Sequence, residues 1–193
     1  MEYPATLEVT TPERIANWRP LVQWIMAIPH FIVWYGLNLA GEMVAGVSWF
    51  AILFTGRLPV GLANFQCMVQ RYGVRINAYV AFLHTEYPPF AFDVTPTDPG
   101  GTPVRVDFQP SLSGRNRLSC ALRILWLIPA AIVTMLIAIV GAVCGLVGLF
   151  AVLFTGRWPE GLRAWVMKSL RASLRLNAYA SLLTDEYPPL NFN

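Results

Sequence analysis

The chain repeats itself at an offset of 100 residues. Phe54-Thr55-Gly56-Arg57 returns as Phe154-Thr155-Gly156-Arg157, and Asn77-Ala78-Tyr79 as Asn177-Ala178-Tyr179. Glu86-Tyr87-Pro88-Pro89 returns as Glu186-Tyr187-Pro188-Pro189, and Arg71 and Arg75 as Arg171 and Arg175. Between 50–90 and 150–190, 20 of 41 positions are identical without a gap, so one unit has been duplicated. The fold must be one that this unit can build twice.

The units span 1–94 and 104–193. The linker 95–103 holds Pro96, Pro99, Gly100, Gly101 and Pro103 and cannot be helical. Each unit opens with an alternating stretch, Ala5–Val9 or Val104–Phe108, whose period of two predicts a strand. An apolar run follows, at 21–54 and 118–154. The Phe-Thr-Gly-Arg turn comes next, then a helix at 59–84 and 159–184. Each unit closes with Tyr-Pro-Pro and a second short alternating piece, Phe90–Val94 or Leu190–Phe192.

Hydrophobic residues make up 55% of the chain and charged residues 13%, against roughly 25% charged in soluble domains. So apolar a chain must bury its surface in lipid or in a partner. Net charge is +3, and 13 of the 14 basic residues are arginine. They form no basic tract, which argues against nucleic acid, and they flank the apolar runs, which suits anionic headgroups. Cys67, Cys120 and Cys144 lack metal or redox spacing and read as small apolar residues. Met1–Glu8 has neither a basic start nor an apolar core, so no signal peptide is expected.

A helix crosses a bilayer in about 20 residues. Each run is therefore long for one pass and barely sufficient for two. The expectation is a tight helical hairpin in each run, with Glu42 at the solvated apex of the first. This keeps Arg14, Arg19, Arg57, Arg123 and Arg157 on one side, as the positive-inside rule prefers. The alternative is one long tilted span, kinked near Pro29 or Pro129. Gln23, His30 and Asn38 are the other polar residues of the first run, and no second ligand near His30 suggests a metal. Gly41, Ala45 and Ser48 match Gly141, Gly145 and Gly148. Small residues at this spacing predict close helix contacts.

Gly56 and Gly156 permit a sharp turn after each run, with Thr55, Arg57, Thr155 and Arg157 beside them. On the following helix, Leu62, Phe65, Val69, Tyr72, Ile76, Tyr79 and Leu83 share one stripe while Arg71 and Arg75 fall opposite. The second copy sets Leu162, Trp165, Leu174 and Tyr179 against Lys168, Arg171 and Arg175. This pattern predicts helices lying in the headgroup layer. The paired arginines suit either an anionic lipid phosphate or a structural network with Glu86 and Glu186.

The combination of Phe-Thr-Gly-Arg, Pro-x-Gly-Leu, Arg-x-x-x-Arg-x-Asn-Ala-Tyr and Glu-Tyr-Pro-Pro resembles a bacterial integral-membrane family of unknown function. The resemblance covers nearly the whole chain and implies an inner-membrane location without an established activity. Some relatives carry a lipase label, but no serine here sits in a Gly-x-Ser-x-Gly elbow. The expectation is a mainly α, multi-pass membrane protein of two tandem repeats, with amphipathic interfacial helices, short β-strands and both termini cytoplasmic. It needs no cofactor, metal or catalytic residue. It would serve as a scaffold or accessory subunit contacting lipids and other membrane proteins or itself; the alternative is lipid binding or transport through the paired arginines.

Overall fold

A computed structural model describes residues 3–189. The chain runs β1 (Ala5–Val9), α1 (Arg19–Met26), α2 (Ile28–Thr55), α3 (Val60–Val80), β2 (Val104–Phe108), α4 (Arg117–Ala121), α5 (Arg123–Thr155) and α6 (Glu160–Ala180). Both opening strands form where the alternation places them. Phe90–Val94 is in no strand, and Leu190–Phe192 lies outside the described residues.

Neither apolar run folds back on itself, which corrects the hairpin expectation. α2 is continuous for 28 residues and α5 for 33, roughly 42 and 50 Å at 1.5 Å per residue. Gly36, Gly41 and Gly46 stand singly, and no internal proline interrupts α2, so nothing forces a reversal. Glu42 sits mid-helix and exposed, accepting from Asn38 Nδ2 at 3.3 Å. Pro29 falls in the first turn of α2, where its missing N–H costs nothing; Pro129 lies inside α5.

Each long helix ends at its Thr-Gly pair. Gly56 and Gly156 take φ of 68° and 67°, the left-handed cap that glycine adopts without steric penalty. Thr55 and Thr155 donate back to the carbonyls of Ala51 and Ala151 at 2.6 and 2.7 Å. Their hydroxyls also accept from the Arg57 and Arg157 N–H groups, both at 3.2 Å. The chain then reverses, and α3 returns antiparallel along α2, as α6 does along α5. Gln66 Nε2 donates to the Gly41 carbonyl at 2.6 Å, and Gln23 Nε2 to that of Tyr79, also at 2.6 Å. In unit two Arg123 Nη1 reaches the Tyr179 carbonyl at 3.2 Å. α3 and α6 touch each other at the centre.

The units exchange their strands. β2, the first element of unit two, packs on α3, while β1 packs on α6. The two pair antiparallel, Leu7 opposite Val106. The lead-in loops cross as well: Ile15 N–H donates to the Gly156 carbonyl at 2.8 Å, and Arg115 N–H to that of Gly56 at 3.2 Å. These reciprocal contacts define a pseudo-two-fold axis through the middle of the ribbon. The end of α2 lies beside the start of unit two, and the end of α5 beside the loop before α1, so the long helices run antiparallel. The core is shared, with Leu7, Val106, Ile52, Val152, Ala78 and Ala178 in one buried cluster.

Candidate functional site

The matched small residues line the faces that α2 and α5 turn toward α3 and α6. Gly41, Ser48, Gly141 and Gly148 are buried, and Ala45 and Gly145 half-buried. A Cβ on Gly141 would stand 2.5 Å from Ser169 Cβ, and one on Gly148 2.1 Å from the Trp158 ring. On Gly145 it would meet only Val166, at 3.9 Å. The contact these residues make is internal to the chain.

The arginines of α3 do not face solvent, which corrects the interfacial reading of that helix. Arg71 and Arg75 are each 3% exposed. Their carboxylate is that of Asp98 in the linker, not Glu86, which is exposed. Arg75 Nη2 donates to both Asp98 oxygens at 2.8 and 3.0 Å, and Arg71 Nε stands 3.5 Å from Oδ2. Arg71 also binds the carbonyls of Asp93, Thr95, Pro96 and Val106. Residues 93–98 are thereby strapped across α3, and the helix is covered on the face that amphipathicity assigns to water. Asp98 also accepts from the Val106 and Gly100 N–H groups at 2.9 and 2.8 Å. A buried cation pair requires such a partner, because unpaired charge in a low-dielectric interior is strongly unfavourable. Cys67, buried near Arg71, has its thiol pushed up to about 12 by desolvation, so it stays protonated.

Unit two keeps Arg171 and Arg175 in a different setting. Arg171 is half-buried, its Nε 3.4 Å from the Leu7 carbonyl. Arg175 lies over the Tyr3 ring, 5.6 Å from its centroid. Unit two instead has its own buried charge centre at the far end of α6. Arg115 Nε and Nη2 grip Asp185 bidentately at 2.8 and 2.7 Å, and Arg123 Nη2 adds a third contact at 2.6 Å. Arg123 also lies 3.9 Å from the centroid of the Tyr179 ring, a cation–π geometry. Burial alone would raise the Asp185 carboxyl. The Arg115 and Asn116 hydrogen bonds and the Arg123 charge outweigh it and hold the group below the usual carboxylate range. The matched positions in unit one, Ile15, Gln23 and Thr85, carry no charge.

Glu186 is exposed, and its backbone carbonyl accepts from Tyr3 Oη at 3.2 Å. His30 is fully buried, 2.8 Å from Tyr72 Oη through Nδ1 and stacked on Phe90 at 4.1 Å. Sequence reasoning missed Asp98, Arg115 and Asp185 as partners. The only signal was negative: buried arginines need an acid, and spacing does not say which one.

Two residues after α3 and α6 adopt a left-handed backbone without being glycine. Phe82 has φ 58° and Leu182 φ 64°, a conformation uncommon for bulky side chains. Their carbonyls each receive a strong donor: Trp158 Nε1 at 3.0 Å for Phe82 and Arg115 Nη1 at 2.7 Å for Leu182. The surrounding packing holds both in place, with side chains 6% and 3% exposed.

No curated protein and no solved structure matches the chain. One family profile matches at residues 17–91 and again at 117–191, so it covers most of the chain. The chain belongs to that family, described as a domain of unknown function (DUF4389), and carries two copies of its domain in tandem.

Proposed function

We propose that this protein is a non-catalytic membrane scaffold or accessory subunit, seated in a bacterial inner membrane by the outward faces of α2 and α5. The observation that carries the reading is the exposure of those faces. Ile32, Tyr35, Met43, Phe54, Ile124 and Phe154 are 69–77% exposed. Only 17% and 22% of the most apolar stretches of the two helices are buried within the chain, whereas the core helix of a soluble protein is mostly covered. Monomeric soluble proteins rarely expose apolar patches beyond a few hundred Å².

The pseudo-two-fold axis favours one orientation. It runs through the ribbon and relates antiparallel helices, so upright helices would hold the ribbon at half depth. Glu8, Arg105 and Asp107 would then lie near the bilayer centre, at a cost of roughly 2.5 kcal/mol or more per charge. Helices lying along one leaflet avoid that cost. They leave the ribbon and the linker on the cytoplasmic side and sink the apolar faces into the acyl layer. In this reading α2 and α5 do not cross the bilayer, despite their length.

The test has two arms. The protein should stay in the membrane pellet through alkaline carbonate and high salt and leave it only with detergent; release by carbonate overturns the seating. Spin labels at 32, 43 and 54 should report similar depths by oxygen and nickel accessibility. A depth profile rising and falling along α2 means it crosses the bilayer.

A further inference from the structure

We propose that the groove between β1 and α6 is a docking site for an extended acidic peptide segment of a partner protein. The groove has a volume of about 1020 Å³, and Glu8, Glu160, Arg163, Trp165, Lys168 and Arg171 are among its lining residues. Unit one shows what such a groove holds. There the space between β2 and α3 beside Arg71 is occupied by Asp93–Asp98, a segment that bends at Pro96-Thr97 and carries an acid at each end. Arg71 clasps three carbonyls of that segment. The Phe108 N–H donates to the Pro96 carbonyl at 3.0 Å, the Val106 N–H to Asp98, and the Asp98 N–H to Asp107 Oδ1 at 2.7 Å. The segment follows the outer edge of β2 through one backbone hydrogen bond and two aspartate side-chain contacts, without forming a strand.

In unit two the receiving groups are present and no described residue occupies them. Arg171 repeats the Arg71 contact with the strand, donating to Leu7 as Arg71 does to Val106. Thr10 N–H donates to Pro103 and Gln109 N–H to Pro4. In an antiparallel pair hydrogen-bonded and open residues alternate, so Leu7 and Val9 turn their N–H groups outward. Neither meets a partner among the described residues. The burial difference agrees: Ala63, Cys67 and Met68 are buried in unit one, while the matched Arg163, Met167 and Lys168 are half-exposed. The lining holds three basic side chains against two acidic ones, and strand addition to an open edge with side-chain pockets is a recurrent mode of peptide recognition.

This inference names the partner's chemistry for the scaffold reading and rests on it, but its test does not depend on how the chain sits in the membrane. The full chain in phosphatidylcholine nanodiscs is titrated against a fluorescein-labelled peptide with the sequence of Ala91–Gly101. Saturable anisotropy is expected. Arg171→Gln, or replacing the peptide's second aspartate by asparagine, should weaken binding about tenfold, the loss of one set of charge-assisted hydrogen bonds. Arg57→Gln, at the exposed turn of unit one, should leave it unchanged. The same segment fused after Asn193 through a Gly-Ser tether should raise Tm, and Arg171→Gln should cancel that rise. The proposal is overturned if neither free nor tethered peptide has an effect, or if the effect ignores Arg171→Gln. Displacement of the peptide by phosphatidylglycerol discs would reassign the groove to a lipid headgroup and equally overturn it. Carbonate release with intact peptide binding would instead remove the membrane seating alone.

Discussion

Where α2 meets α3, Trp34 packs over Gly73, so that a Cβ on that glycine would come within 2.4 Å of the indole nitrogen. At the matched positions of unit two stand Thr134 and Ser173. Nearer the turn the trade runs the other way: unit one has Ser48 and Leu58, while unit two has Gly148 and Trp158 with the ring pressed onto the glycine. The charges follow the same logic. Unit one neutralises its buried arginines midway along α3 with an acid from the linker, and unit two at the end of α6 with an acid from its own tail. What the duplication has preserved is a close helix contact and a buried arginine–aspartate centre in each unit, while the positions that supply them have drifted.

The sharpest way to break that comparison is to remove each acid in turn. Asp98 has a fully buried side chain and serves two buried arginines; the Asp185 side chain is 26% exposed. Asp98→Asn should cost roughly 3–5 kcal/mol, the range for breaking a buried ion pair, and Asp185→Asn measurably less. Denaturant midpoints read both, and equal losses would show that exposure does not set the difference. The Asp185 carboxyl is held low in the fold, so its contribution is complete above the ordinary carboxylate pKa and lost as pH falls through the depressed value.

The packing trade is the next target. Gly148→Ser should destabilise by about 1–3 kcal/mol, an overpacking penalty, because the new Cβ would meet the buried Trp158 ring at 2.1 Å. Adding Trp158→Leu recreates the unit-one pair and should recover part of that loss, though not the indole bond to Phe82. Additive penalties in a thermal-melt double-mutant cycle would show that the two residues do not compensate. Gly145→Leu should be tolerated far better than either.

The smallest effect concerns His84, whose counterpart is Thr184. Desolvation lowers the imidazole pKa in the fold from its ordinary value of 6.5. The folded chain then binds fewer protons than the unfolded chain as pH falls below 6.5. The neutral ring's contribution is complete above that pH and lost as pH falls toward the depressed value. His84→Thr should flatten the Tm profile between pH 7 and 5 relative to wild type; parallel profiles would remove His84 as the cause.

Much of this architecture is legible in the sequence because it is local. Alternation marks both strands, the Thr-Gly pair marks the ends of α2 and α5, and small-residue spacing marks the faces those helices bury. The misreadings share a cause. Helical periodicity says which side chains lie together, but not what lies over them. Arg71 and Arg75 stand opposite an apolar stripe, which suits a headgroup or a network with Glu86 equally, yet a loop 22 or more residues downstream covers them. Hydropathy likewise measures apolar length without locating reversals, so a 34-residue run is compatible with a hairpin, and only the unbroken course of α2 excludes one. Strand exchange is invisible to any local signal, since both strands look the same wherever they dock.

That exchange governs how the molecule can be divided. Cutting at the linker separates α3 from β2 and α6 from β1, so each half loses the strand that closes its own helix. A circular permutant that moves Tyr3–Thr10 behind Pro189 would instead make the strand of α6 contiguous with it, and is the cleaner dissection. For a protein with one such unit, the same geometry dictates company: its strand would cover a helix only in a second copy, and two identical chains would meet about a true two-fold axis. A dimer of single units and this tandem chain are then the same object, differing only in whether residues 95–103 join the halves.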